Sequence, residues 1–76
     1  MKEITIRLST IADVRDFVTM ATTYTGEIDL VSGRYTVDGK SIMGIFSLDL
    51  LAPITARISG AGSDELAVKL AERFKA

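Results

Sequence analysis

Every segment of this chain that alternates in polarity is apolar on one face only, and this limits the folds open to it. "EITIRL" (residues 3–8) sets Ile4, Ile6 and Leu8 against Glu3, Thr5 and Arg7. "EIDLV" (27–31) turns Ile28 and Leu30 inward, and "RYTVD" (34–38) puts Tyr35 and Val37 on one face. "ITARIS" (54–59) sets Ile54, Ala56 and Ile58 against Thr55, Arg57 and Ser59. Alternation of period two marks a strand that is buried on one side. A sheet covered on both faces shows continuous apolar runs instead. The helices of such a chain therefore lie on one face of the sheet, and the other face meets water.

The intervening segments change period. In "STIADVRDFVTMATTY" (9–24), Ile11, Val14, Val18 and Ala21 fall at helical spacing with Phe17 alongside. Thr10 is the expected N-cap, Asp13 three residues on resembles a capping box, and Thr25-Gly26 ends the helix. Ser32-Gly33 is a turn signal that joins two strands into a hairpin. Gly39 breaks the second of these, and Ser41 is expected to cap a short helix running to about Asp49. Pro53 opens the next strand, where its missing N–H is tolerated. "GAG" (60–62) is a loop, and Ser63 is expected to cap the last helix, with Asp64 and Glu65 at its positive end. Leu66, Ala67, Leu70, Ala71 and Phe74 form one stripe on that helix. The order βαββαβα predicts an α+β, open-faced β-sandwich: a four-stranded antiparallel sheet with three helices on one face, as a single domain over residues 1–76.

Composition removes several functions. The chain has 76 residues, which leaves no room for a large enclosed active site beside the core. Its net charge of −1 gives no footprint for nucleic acid or an anionic membrane. It has no cysteine, so disulfides, thiolate chemistry and cysteine-based zinc sites are excluded. It also has no histidine, which removes the commonest general base and the usual phosphoryl-accepting imidazole. Asp13, Asp16, Glu27 and Asp29 form no recognisable metal spacing, and no metal or cofactor is expected. No apolar run approaches the roughly 20 residues that span a bilayer. The first strand-like segment starts at Lys2 and Glu3, so no signal peptide is expected before it, and the expected location is cytoplasmic. Ferredoxin-like RNA-binding modules share a similar element order, but they stack bases on aromatics of the open face. Here the outward positions are Thr, Arg, Asp, Glu and Ser.

"GKSIMGIFSLD" (39–49) stands out. Ile42, Met43, Ile45, Phe46 and Leu48 cover almost every direction of a short helix that begins at a serine. A surface helix normally keeps one face polar. Ile45 and Leu48 lie on a different side from Met43 and Phe46, so one set faces the sheet and the other forms an exposed patch of the kind that marks interfaces. Methionine suits such a surface because it adapts to its partner. Elsewhere the plainer readings prevail. Ser9 and Thr10 are caps, Arg7, Arg34 and Arg57 belong to solvated faces, and Tyr24 and Tyr35 are packing residues.

The stretch Lys40-Ser41-Ile42-Met43-Gly44, followed by Ile45, Phe46, Ser47 and Leu48, resembles the histidine-containing phosphocarrier (HPr) family of the bacterial sugar phosphotransferase system. Gly62, Ser63, Asp64 and Glu65 fit the family's approach to its last helix, and the pattern lies on the chain from Ile4 onward without a gap. The resemblance implies that Ile45 and Leu48 are core positions, which leaves Ile42, Met43 and Phe46 exposed beside Lys40 as a partner-binding patch. It also implies that Ser41 is the site of regulatory phosphorylation by a dedicated kinase. The implied partners are protein components of the phosphotransferase system, a serine kinase/phosphatase or a transcription regulator. No enzyme activity is implied, and the chain is expected to be a monomer. One departure matters. The family carries its acceptor histidine in a Gly-x-His-Ala-Arg-Pro segment, and the matching stretch here is Leu8 to Asp13. The histidine position holds Thr10, the arginine position Ala12 and the proline position Asp13. A threonine hydroxyl is a poor nucleophile without an adjacent base, and Asp13 adds negative charge where a phosphoryl group must sit. The expectation is a regulatory, protein-binding module. The rival expectations are a carrier that uses another residue and a binding paralogue that is never phosphorylated.

Overall fold

A computed structural model describes all residues from Met1 to Ala76. The elements follow as β1 (Lys2–Ile6), α1 (Ile11–Thr23), β2 (Glu27–Ser32), β3 (Tyr35–Asp38), α2 (Ile42–Phe46), β4 (Ile54–Ser59) and α3 (Ser63–Arg73). The strands form one antiparallel sheet in the order β1-β4-β2-β3. This is the open-faced α+β architecture that the alternating strands predict. Registry carries the apolar set to one side: Ile4 faces Ala56, which faces Leu30, and Ile28 faces Ile58. A slip of one residue would turn each of these outward.

The core lies between that face and the helices. Its 16 buried residues are all apolar, and no polar side chain is buried with them. From α1 come Val14, Phe17 and Ala21, and from α3 Leu66, Ala67 and Leu70. Phe74, just past α3, meets Phe17 edge to face at 5.8 Å. Full burial of each large side chain contributes about 1.5–3 kcal/mol. The Phe74 carbonyl accepts the Arg7 N–H at 3.0 Å, and Lys75 bridges to Ile6, so the chain end covers one end of the outer edge of β1.

The open face is charged. One row crosses all four strands: Glu3 faces Arg57, Arg57 faces Asp29, and Asp29 faces Asp38. Arg57 Nε reaches Glu3 Oε2 at 2.9 Å. Asp29 and Asp38 are like charges on directly opposed positions, an arrangement that weakens strand pairing.

Four details differ from expectation. Ile11 is 75% exposed and Tyr35 70% exposed. Ile11 is the first residue of α1 and Tyr35 the first of edge strand β3, so each follows the periodicity of its element at a point where no neighbour covers it. α2 ends at Phe46 rather than near Asp49, because the Ser47 and Leu48 amides turn tightly onto the Gly44 and Ile45 carbonyls. The N-cap of α3 is Gly62, not Ser63, and no side chain caps this helix. Gly62 has φ +83°, a left-handed conformation open to glycine, so the turn falls one residue early and Ser63 begins the helix.

Candidate functional site

Ser41 sits in extended backbone at the start of α2, and its Oγ accepts the Gly44 N–H at 3.2 Å. Its own N–H donates to the Asp38 carbonyl at 3.0 Å. The serine thus supplies an acceptor for an amide that the short helix cannot satisfy itself. The helix has two apolar sides. Ile45 is fully buried and Leu48 7% exposed, whereas Ile42, Met43 and Phe46 are 39%, 78% and 43% exposed. Leu51, at 88%, adds another exposed apolar group in the loop after α2, and its carbonyl accepts Arg7 Nη1 at 3.0 Å. Sequence reasoning missed Leu51. The available signal was an apolar Leu50-Leu51-Ala52 run between a helix end and a proline.

Lys40 adjoins Ser41 in sequence, but its ammonium is spent elsewhere. Nζ donates to the Tyr24 carbonyl at 2.7 Å and to the Gly26 carbonyl at 2.9 Å. The expected role of Lys40 in the partner-binding patch therefore competes with two internal bonds.

The start of α1 carries its own set of bonds. Thr10 Oγ1 accepts the Asp13 N–H at 3.0 Å, as an N-cap does. Asp13 Oδ2 accepts the Ser9 N–H at 3.0 Å, one residue earlier than in a standard capping box. Arg73, from the end of α3, places Nη1 3.4 Å from Asp13 Oδ1 and Nη2 2.7 Å from Asp16 Oδ2. The Asp13 carboxylate is thus already bound to an amide and a guanidinium. No group of three or more His, Cys, Asp or Glu side chains is placed to hold a metal ion. No helix is long and apolar enough to cross a membrane.

The site thus sits on a one-sided four-stranded sheet with three helices, the second capped by a serine and apolar on its outward side. The family model described as the PTS HPr component phosphorylation site matches residues 11–76. The chain belongs to the HPr family. The match begins at the first residue of α1, directly after Thr10. Among solved structures, HPr-C-His from Thermoanaerobacter tengcongensis is similar, with 26% identity, 99% of this chain and 92% of that chain covered, and a TM-score of 0.88. The phosphocarrier protein HPr from Bacillus anthracis matches at 25% identity over 97% and 96% of the two chains, with a TM-score of 0.81. The Bacillus subtilis catabolite repression protein Crh matches at 28% identity over 92% and 82%, with a TM-score of 0.72, and that protein was solved as a swapped dimer. No curated protein matches the chain by sequence.

Proposed function

We propose that this chain is a regulatory, protein-binding member of the HPr family, controlled at Ser41, and not a histidine phosphocarrier. One observation carries the reading: Ser41 caps a helix whose inner side is buried at Ile45 while Ile42, Met43 and Phe46 of the same short helix stay exposed. A phosphate there would add about −1.5 to −2 charge at the edge of an apolar surface. The absence of any histidine supports the negative half of the reading. By the resemblance, Thr10 stands at the acceptor position, and its hydroxyl oxygen already caps α1. Crh, described as a catabolite repression protein, is a precedent for a regulatory relative of this fold.

In this reading the chain acts in the cytoplasm as a monomer, and its partners are proteins of the phosphotransferase system, a serine kinase/phosphatase or a transcription regulator. Intact-mass analysis tests it directly. Exposure to a serine kinase of the system with ATP is expected to add one phosphate, and Ser41→Ala is expected to abolish the gain. Exposure to the phosphoenolpyruvate-dependent donor enzyme is expected to add none. A phosphate acquired from the donor enzyme would establish the carrier reading instead. No phosphate from either system would leave a binding paralogue.

A further inference from the structure

Lys40 lies 16 residues from Tyr24, yet its ammonium bonds the Tyr24 carbonyl at 2.7 Å and the Gly26 carbonyl at 2.9 Å. Tyr24 is the C-cap of α1, where unpaired carbonyls gather the negative end of the helix dipole, and α1 has no basic residue in its last turn. Lys40 supplies that charge from a distant loop. Lys40 lines an open groove of about 370 Å³ together with Glu27, Asp29 and Asp38, so the surroundings favour a cation.

The segment carrying Lys40 is pinned on both sides. The Gly39 N–H donates to the Ile28 carbonyl at 2.8 Å, and the Lys40 N–H donates to Asp38 Oδ1 at 2.9 Å. Gly39 is buried so closely that a Cβ there would lie 2.7 Å from Ile28 Cγ2. The next residue is Ser41, whose Oγ holds the Gly44 amide.

We propose that Lys40 is a positioning residue: the Tyr24 and Gly26 carbonyls form an internal ammonium site, and by filling it Lys40 fixes the pose of Ser41 and of the exposed face of α2. The site takes a primary ammonium group, with N–H donors for two carbonyls. The functional consequence rests on the reading that this face of α2 binds a partner; the tether itself does not.

Amide hydrogen exchange tests it on the full chain without any partner. The Gly39 and Gly44 amides report the pinned segment and the Ser41 cap, and Leu70 in α3 serves as control. Lys40→Ala should speed exchange at Gly39 and Gly44 by roughly ten- to a hundredfold, with Leu70 unchanged, because charge-assisted bonds are lost locally. Lys40→Met, which keeps an apolar stem, should do the same. Butylammonium should restore protection in Lys40→Ala along a saturable curve, and tetramethylammonium at equal ionic strength should not. The proposal is overturned if both variants keep wild-type protection, if protection falls equally at Leu70, or if the two cations restore it equally. A partner assay on Met43→Ala reads the regulatory hypothesis separately, so either idea fails alone.

Discussion

Arg73 and Asp16 join the end of α3 to the first half of α1, Nη2 to Oδ2 at 2.7 Å. The same guanidinium reaches Asp13 and lies 4.8 Å from the centre of the Phe74 ring. The Arg73 guanidinium is therefore committed to two carboxylates of α1. Asp13, whose N–H is held by the Thr10 hydroxyl, puts a carboxylate in the same turn that a phosphoryl group on Thr10 would occupy.

Thr10→His alone should accept no phosphoryl group from the donor enzyme. The new imidazole would have Ala12 where the family has arginine. Repulsion between Asp13 and an incoming anion is about 1–4 kcal/mol at contact range, between a water-like and a surface-like dielectric. Adding Ala12→Arg and Asp13→Pro should raise transfer; Thr10→His has already removed the hydroxyl that accepts the residue-13 N–H, and the proline removes that N–H. Phosphohistidine detection after donor exposure distinguishes the variants, and efficient transfer by the single variant would refute the electrostatic account.

The two sides of α2 should separate in thermal melts and binding assays. Ile45→Ala and Leu48→Ala should each cost roughly 2–5 kcal/mol of folding stability, because buried side chains leave cavities. Met43→Ala should change stability by less than about 1 kcal/mol, since its side chain is mostly in water. If this face binds a partner, Met43→Ala and Phe46→Ala should weaken the complex by about 1–3 kcal/mol. Destabilisation by Met43→Ala equal to that of Ile45→Ala would reassign the patch to the core.

At Ser41 the cap and the charge can be varied independently. Ser41→Ala should cost about 1 kcal/mol of stability through loss of the Gly44 N–H acceptor. Ser41→Asp should hold near wild-type stability, because aspartate also caps helices, while changing partner affinity through its charge. Denaturant melts set beside titration calorimetry test both halves. An unfolded Ser41→Asp would show that the site has no room for an anion.

Phe74→Ala should be among the most damaging single changes, at about 3–5 kcal/mol. Phe74 is 2% exposed and closes the core against Phe17, and Arg73 stacks on its ring. By contrast, removing the solvent-exposed pair of Lys2 with Asp64, 3.4 Å apart, should shift the chemical denaturation midpoint hardly at all. A large effect of Lys2→Met would overturn this ranking.

Strand alternation made the sheet and its single covered face legible, because each inward residue from Ile4 to Ile58 repeats with period two. The stripe of α1 was legible at Val14, Phe17 and Ala21, but not at Ile11. Periodicity tells which side of its own element a residue occupies, and says nothing about whether another element reaches that point. Tyr35 failed for the same reason on edge strand β3. The two sides of α2 could be seen in the pattern, and the family resemblance chose between them. The Lys40 ammonium was out of reach, since its acceptors are backbone carbonyls, which every residue has. The reach of Arg73 across to Asp13 was hidden likewise by 60 residues of separation. Ser63 misled because the left-handed turn at Gly62 moved the start of α3.

The opposed carboxylates of Asp29 and Asp38 also bear on how copies of this chain meet. A sheet edge with free backbone N–H and C=O groups invites another strand, and β3 is such an edge. It is only four residues long, and it ends in negative charge already crowded by its neighbour. A second copy pairing in parallel register would set its own Asp38 against this one. The small loss of pairing strength inside the sheet thus acts as protection against edge-to-edge aggregation, and neutralising Asp38 would weaken that protection first at low salt.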